Sequence, residues 1–289
     1  MKIKAIIYAL LAAIFYSLNV PFSKALLQEV EPSMMAGFLY LGAALGIAIL
    51  YLLNHKNVKN LERLNKKDLP YTIMMVVLDI CAPLLLMFGL LSTSASSASL
   101  LNNFEIVATS LIALTFFKEK IRKPLWLGII FITLASIFLS YEPSETMSFS
   151  WGAILVILAT LCWGLENNCT RSISDKSTYQ IVFIKGLFSG LGSLIVALFL
   201  KESFPSFINI LKVLALGSVA YGLSIFLYVR AQNVIGAAKT SAYYACAPFI
   251  GSLLAYLLLK EQLSSYYFIA LFLMLVGTVF VIIDTLKNE

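Results

Sequence analysis

The chain alternates long apolar stretches with short polar breaks along its whole length. Ten stretches of about 18 to 23 largely apolar residues occur, at 4–26, 34–53, 70–90, 95–117, 124–141, 151–172, 179–200, 209–229, 237–259 and 264–284. A helix needs roughly 20 such residues to cross a hydrocarbon core about 30 Å thick. The pattern therefore predicts an all-α integral membrane protein with ten transmembrane helices.

Composition supports this assignment and narrows the chemistry. Hydrophobic residues make up 60% of the chain and charged residues 12%, whereas soluble domains carry about 25% charged residues. The four cysteines lie in apolar stretches without disulfide or metal spacing. There is no glycine-rich phosphate loop, so no cofactor is expected and the energy source must be a gradient rather than ATP. The amino end lacks a small-residue cleavage site and is interpreted as a retained first helix.

The net charge is +6, and the distribution of the basic residues indicates the membrane topology. When the connections are assigned alternately to the two sides of the membrane, 16 lysines and arginines fall on the side of the amino terminus and four on the other side, with Lys185 inside a helix. The positive-inside rule then predicts that both termini are cytoplasmic. Nucleic acid is not an expected partner, because topology already explains the basic charge.

The two halves of the chain resemble each other. "LAAIFYSLNVPFSK" (11–24) aligns with "LATLCWGLENNCTR" (158–171), and residues 94–120 align with residues 236–262. Five helices per half is an odd number, so the second half would enter the membrane from the opposite side. We therefore expect two inverted five-helix repeats, 1–142 and 150–289. Secondary transporters with this arrangement bind substrate near the midplane, at the interface between repeats.

These motifs also resemble a known family. The run "GAAKTSAYYACAPFIGSLLAYLLLKEQLS" (236–264) and the glycine-containing helices "WLGIIFITLASIFL" and "FIALFLMLVGTVFV" look like the EamA group of the drug/metabolite transporter superfamily. The resemblance implies a ten-helix carrier with a central cavity lined mainly by helices one, three, four, six, eight and nine, and it suggests the substrate class and an outward direction. Ile106 stands where the family usually has a proline.

Glu105 is the most informative polar residue, because it lies close to the middle of the fourth apolar stretch. A carboxylate inside the hydrocarbon region must face a cavity or a partner. Helical spacing places Asn102 and Thr109 on its face. Glu105 is expected to bind a substrate ammonium or to couple transport to protons; the alternative is a static carboxylate bonded to an asparagine or tyrosine of a neighbouring helix.

Further polar and aromatic side chains lie deep in other stretches. We expect these residues to line the substrate site with Glu105 and Asn102: Tyr16, Asn19, Asp79, Trp163, Glu166, Asn167, Tyr221, Tyr228 and Tyr244. Lys185 is expected to form an internal ion pair with Glu166 or another acid. Pro21, Pro83 and Pro248 interrupt three helices and are candidate gating hinges. Glu119 and Glu261 are interpreted as caps of the turns that follow them.

The combined prediction is a secondary transporter of the inner membrane. It would export a small organic metabolite, an amino acid or a related amine, by alternating access coupled to protons. Uptake or exchange of a nucleotide-like or cationic metabolite is the alternative carrier function. A membrane-embedded enzyme is not expected, because the single histidine, His55, lies in a loop and the cysteines are scattered. The chain is expected to be a monomer or a homodimer.

Overall fold

The computed structural model describes residues 2–54, 62–117, 122–142, 148–235, 240 and 243–287. Its architecture is helical. In these ranges the α-helices are α1 (Lys2–Ser17), α2 (Asn19–Leu26), α3 (Pro32–Asn54), α4 (Leu69–Ser92), α5 (Ala95–Leu101), α6 (Phe104–Phe117), α7 (Lys123–Ser140), α8 (Trp151–Ser172), α9 (Thr178–Phe199), α10 (Phe207–Gly217), α11 (Ser224–Ile235), α12 (Ala247–Leu259) and α13 (Ser265–Lys287).

Short elements complete these helices. A 3₁₀ turn (Lys66–Asp68) precedes α4, and a π-helical turn (Ser218–Leu223) joins α10 to α11. Between α7 and α8, strand β1 (Tyr141–Glu142) pairs antiparallel with β2 (Ser148–Phe149). The π turn lies inside a predicted membrane helix and contains Tyr221, one of the predicted site residues.

Eight helical regions in the described chain are long and apolar enough to cross a membrane: Ile3–Leu26, Pro32–Leu53, Lys66–Ser92, Lys123–Ser140, Trp151–Ser172, Thr178–Phe199, Phe207–Ala231 and Ser265–Asp284. They correspond to eight of the ten predicted stretches. The other two predicted stretches, 95–117 and 237–259, do not contain a single long helix in the described ranges. Eight crossings are therefore supported by length, and the count of ten remains a prediction.

The stretch 95–117 was expected to be one helix but forms two, α5 and α6. The residues between them are Asn102 and Asn103. Asparagine side chains compete with the backbone for hydrogen bonds and favour turns over helix interiors. Hydrophobicity alone does not reveal this break, because the residues on both sides remain apolar.

Two of the three prolines coincide with interruptions. Pro21 has no N–H to donate to the carbonyl of Ser17, where α1 ends. Pro248 was expected inside the ninth helix but stands in the first turn of α12, where a missing N–H has no helical partner. α4 continues through Pro83. The three prolines therefore occupy different kinds of position, and any gating role for them remains a prediction.

The helices of the two halves pack against each other across the middle of the molecule. α4 contacts α8, α3 contacts α9, α1 contacts α11, and α7 contacts α13. Glycines bring some of these backbones very close: a Cβ atom on Gly186 would lie 2.7 Å from the carbonyl oxygen of Tyr40, and one on Gly42 would lie 2.3 Å from that of Leu214. Gly42 and Gly186 thus allow close helix packing, and the buried core lies between the two halves.

Candidate functional site

A lysine-centred ion network lies in the interior between α4, α8 and α9. Lys185 Nζ lies 3.2 Å from Asp79 Oδ2 and 2.9 Å from Glu166 Oε1. All three residues are buried, with 0% of Asp79 and 2% of Glu166 exposed. The predicted ion pair of Lys185 is confirmed, and the lysine serves two carboxylates rather than one.

Each of these carboxylates also has a second partner. The hydroxyl of Tyr40, on α3, donates to Asp79 Oδ1 at 2.9 Å, and the hydroxyl of Thr170 donates to Glu166 Oε1. A buried ion pair is stable only when hydrogen bonds satisfy its remaining atoms. Asp79 and Glu166, both predicted to bind substrate, are thus held by protein groups in this structure.

Glu105 has a different environment. It lies in the first turn of α6, and its Oε1 accepts a 2.5 Å hydrogen bond from Nδ2 of Asn167 on α8. In the described part of the chain, no lysine or arginine forms a salt bridge with it. The structure therefore brings Glu105 and Asn167 together and leaves the carboxylate with an amide partner but no cation.

A cluster of tyrosines lies in the interior of the molecule. The ring of Tyr16 lies 6.0 Å from that of Tyr221 and 5.6 Å from that of Tyr244, and the Tyr244 ring lies 5.0 Å from that of Tyr228. Four tyrosines from the first, eighth and ninth predicted helices thus form one aromatic group.

The remaining predicted residues support this group. Asn19 Nδ2 donates to the Tyr221 hydroxyl at 3.0 Å. Trp163 is 6% exposed and packs in the same core as Tyr40 and Tyr221. Tyr40, whose ring lies 4.9 Å from that of Tyr221, was not predicted as a site residue. The sequence feature that could have indicated it is its position in the middle of an apolar stretch. Tyr40 links the tyrosine cluster to the ion network.

A small crevice lies beside the cluster, with room for roughly one water molecule. Three helix interruptions meet there: the α1–α2 break, the end of α5 and the start of α12. Its lining residues are Tyr16, Ser17, Val20, Ser99, Asn102, Ala247, Pro248 and Gly251. Glu105 is not among them.

The crevice exposes unpaired polar atoms. Asn102 is 5% exposed and Ser99 2% exposed, yet neither Asn102 Oδ1 nor Ser99 Oγ has a hydrogen-bond partner. Buried polar groups without partners are rare and destabilising. Asn102 Oδ1 and Ser99 Oγ thus give the crevice polar atoms that can hydrogen-bond to a group with N–H or O–H donors.

No group of three or more metal-ligating side chains occurs among the residues that the structure describes. Glu119 lies outside those residues. Glu261 does act as a cap, but the prediction that it caps the following turn is wrong, since its carboxylate accepts hydrogen bonds from the backbone N–H groups of Ala95 and Ser96, at the start of α5. This contact joins residues more than 160 positions apart, and local sequence carries no signal for it.

Comparison with protein families gives a match across almost the whole chain. The family described as the EamA-like transporter family matches residues 3–141 and again residues 150–283. The two matched segments follow one another with a short gap between them. Each covers nearly half of the chain.

Individual relatives agree with this match. An uncharacterized transporter of Methanothermobacter thermautotrophicus is 26% identical over 92% of this chain and 82% of its own length. An uncharacterized protein of Methanocaldococcus jannaschii is 31% identical over 136 residues, which are 47% of this chain but 96% of that protein. A solved crystal structure matches with a TM-score of 0.70 at 14% identity, covering 99% of this chain and 98% of that one, and so shares its fold.

Proposed function

Because the chain belongs to the EamA-like transporter family, we propose that it is a secondary transporter that exports a small organic amine, such as an amino acid, by alternating access coupled to protons. The observation that carries this proposal is Glu105, a carboxylate that accepts a hydrogen bond from the Asn167 amide and forms no salt bridge with the lysines and arginines that the structure describes. Transport, rather than enzymatic chemistry, is the activity that the family indicates.

The proposed architecture is ten transmembrane helices in two inverted repeats, 1–142 and 150–289. Two separate family matches and a half-length relative support this division. Helix contacts support it as well, because each of these contacts has a counterpart when the two halves are exchanged. The contact of α4 with α8 corresponds to that of α11 with α1, and the contact of α6 with α8 corresponds to that of α12 with α1. Alternating access would exchange the conformations of the two halves.

The proposed orientation places both termini in the cytoplasm and the chain in the inner membrane. Support comes from the excess of lysine and arginine on the amino-terminal side. In this orientation, the ends of α2, α4 and α12 and the start of α5 face outward.

The proposed substrate site combines the Glu105 carboxylate with the tyrosine faces, which attract organic cations through their ring quadrupoles. Asn102 would accept a hydrogen bond from a second polar group of the substrate. The other proposed site residues are Asn19, Asp79, Trp163, Glu166 and Asn167, which hold or surround these groups. Pro21, Pro83 and Pro248 are proposed hinges of the helices that must move.

Proton coupling follows from competition at Glu105. One carboxylate cannot hold a proton and an ammonium group at the same time, so binding of one favours release of the other. A proton entering from outside would displace the amine outward. The alternative, uptake or exchange of another cationic metabolite, uses the same contacts. A nucleotide-like substrate is less well matched, because Lys185 is already shared by two acids.

The test is an untargeted comparison of metabolites inside and outside cells that express wild type, Glu105→Gln or Glu62→Gln at equal levels. Glu62 is an exposed acid and serves as the matched control. We expect wild type and Glu62→Gln to enrich the same amine outside, and Glu105→Gln to lose the enrichment. An amine enriched inside would indicate import, and equal enrichment by all three proteins would contradict the role of Glu105.

A further inference from the structure

Two Lys-Glu pairs form the same unusual turn at the ends of two helices. Lys201 follows α9 and Lys260 follows α12, and both adopt left-handed backbone conformations, with φ of 57° and 51°. This conformation is unfavourable for lysine and is typical of the position just after a helix. In both cases it directs the next residue, a glutamate, towards the start of a distant helix.

Each glutamate accepts hydrogen bonds from two backbone N–H groups. Glu202 binds the N–H groups of Ser33 and Met34 in α3 at 3.1 and 2.9 Å. Glu261 binds those of Ala95 and Ser96 in α5 at 2.7 and 2.9 Å. A carboxylate at a helix start satisfies unpaired N–H groups and interacts favourably with the helix dipole.

The two capped helices, α3 and α5, differ in length and in the residues that they carry. α3 is a 23-residue helix that packs along α9. α5 has seven residues and is therefore only about 10 Å long. It begins at the Glu261 contact and its far end carries Ser99 and Asn102 into the crevice. Glu202 thus fixes a long scaffold helix, whereas Glu261 fixes a short segment that bears crevice residues.

Lys24 holds the same junction from the other side. Its Nζ, at the end of α2, donates to the carbonyl of Thr93 at 3.0 Å and to the carbonyl of Leu90. These are terminal carbonyls of α4, which a lysine stabilises. Lys24 and Glu261 therefore both form hydrogen bonds with the α4–α5 junction. Lys24 belongs to α2 and Glu261 follows α12, and the other ends of both helices reach the crevice.

We propose that Lys24 and Glu261 form an outer latch, which closes the crevice on the outer side and positions α5. Release of the latch would let α5 move as a unit and open the crevice outward. This inference rests on the orientation and the transport activity proposed above. Glu261 is a positioning residue in this scheme, because it acts on the crevice through α5, where its hydrogen bonds are to Ala95 and Ser96 and not to lining residues.

The experiment measures access to the crevice, without any need to know the substrate. Ser99→Cys is introduced into a background in which the four native cysteines are replaced by alanine. An impermeant maleimide is applied to intact cells and, separately, to inside-out vesicles. The labelling rate of Ser99→Cys is compared in the parent, Glu261→Gln, Lys24→Met and the matched control Glu202→Gln, which alters the other Lys-Glu turn.

We expect Glu261→Gln and Lys24→Met to raise the labelling rate in intact cells by about tenfold, the factor that corresponds to losing a charge-assisted hydrogen bond. Glu202→Gln should leave the rate at the parental value. An unchanged rate in well-folded, monodisperse Glu261→Gln would overturn the latch. A rise confined to inside-out vesicles would keep the latch and overturn the proposed orientation instead.

A second variant tests the same contact from the opposite partner. Ala95→Pro removes one N–H that Glu261 binds, while proline is well tolerated at the first position of a helix. The preceding residue, Ser94, is already extended (φ −69°, ψ 147°), as a residue before proline prefers. Labelling faster than the parent's is expected from Ala95→Pro, and labelling at the parent's rate contradicts the latch.

Discussion

The lysine-centred ion network and the Glu105 site both contain carboxylates, buried in the network and half-buried at Glu105, and they differ in what holds them. Asp79 and Glu166 share Lys185, and each has a further hydroxyl partner. Glu105 has the amide of Asn167. An acid already neutralised by the protein stabilises the structure, and one without a protein cation remains available to a proton or a ligand. The groups that bind each carboxylate, rather than its depth in the membrane, distinguish the acids of the ion network from Glu105.

The strongest test of this comparison removes the shared lysine. Lys185→Met leaves Asp79 and Glu166 buried without their cation, and breaking a buried pair costs about 3–5 kcal/mol. We predict that the variant is largely lost as folded protein, measured by size-exclusion chromatography of the detergent-solubilised chain. Lys66→Met, at an exposed position, should behave like wild type.

A triple variant shows whether charge is the cause. Replacing the two acids as well, in Lys185→Met with Asp79→Asn and Glu166→Gln, removes all three charges together. Neutral replacement of a whole buried ion network is often tolerated, so folded protein should return. Failure of this rescue would mean that the lysine is needed for packing, and the comparison between the two regions would lose its basis.

The second test concerns Glu105 itself. Glutamine keeps an oxygen that can accept the hydrogen bond from Asn167, and no cation is left unpaired. We predict that Glu105→Gln retains the wild-type unfolding temperature in detergent but loses pH-dependent amine flux in liposomes. A large drop in unfolding temperature would assign Glu105 to the structural class with Asp79.

The smallest expected effect is on the pH profile of transport. The Asn167 amide donates to Glu105 and stabilises its ionised form. Removing this donor in Asn167→Leu should make ionisation harder and move the midpoint of transport upward by about one pH unit, the equivalent of one hydrogen bond to a charged group. Asn168→Leu is the control, because Asn168 donates to the Gly164 carbonyl instead. If both variants have the same midpoint, Asn167 takes no part in the coupling step.

Much of this arrangement could be predicted from sequence. Apolar length located the long helices, Pro21 marked a break, and the depth of Lys185 in an apolar stretch indicated an ion pair. These features depend on local composition or on the cost of placing a charge in hydrocarbon. The repeat alignment and the EamA resemblance indicated the transporter family.

The parts that could not be predicted depend on contacts between distant residues. Asn102 was expected to face the cavity from within one helix, because apolar neighbours concealed the break between α5 and α6. Tyr40 was missed because only the fold shows that its hydroxyl reaches Asp79. Glu261 was assigned to a neighbouring turn, although its partners lie in α5.

The ion network also has a consequence for biosynthesis. Asp79 is synthesised about a hundred residues before Lys185, which corresponds to roughly 5–20 seconds of translation. During that interval α4 must enter the bilayer with an acid that costs about 3 kcal/mol to insert. Association of α4 with α8 and α9 would relieve this cost once the lysine arrives. α4 therefore commits to its final position only after α8 and α9, the first helices of the second half, have been made.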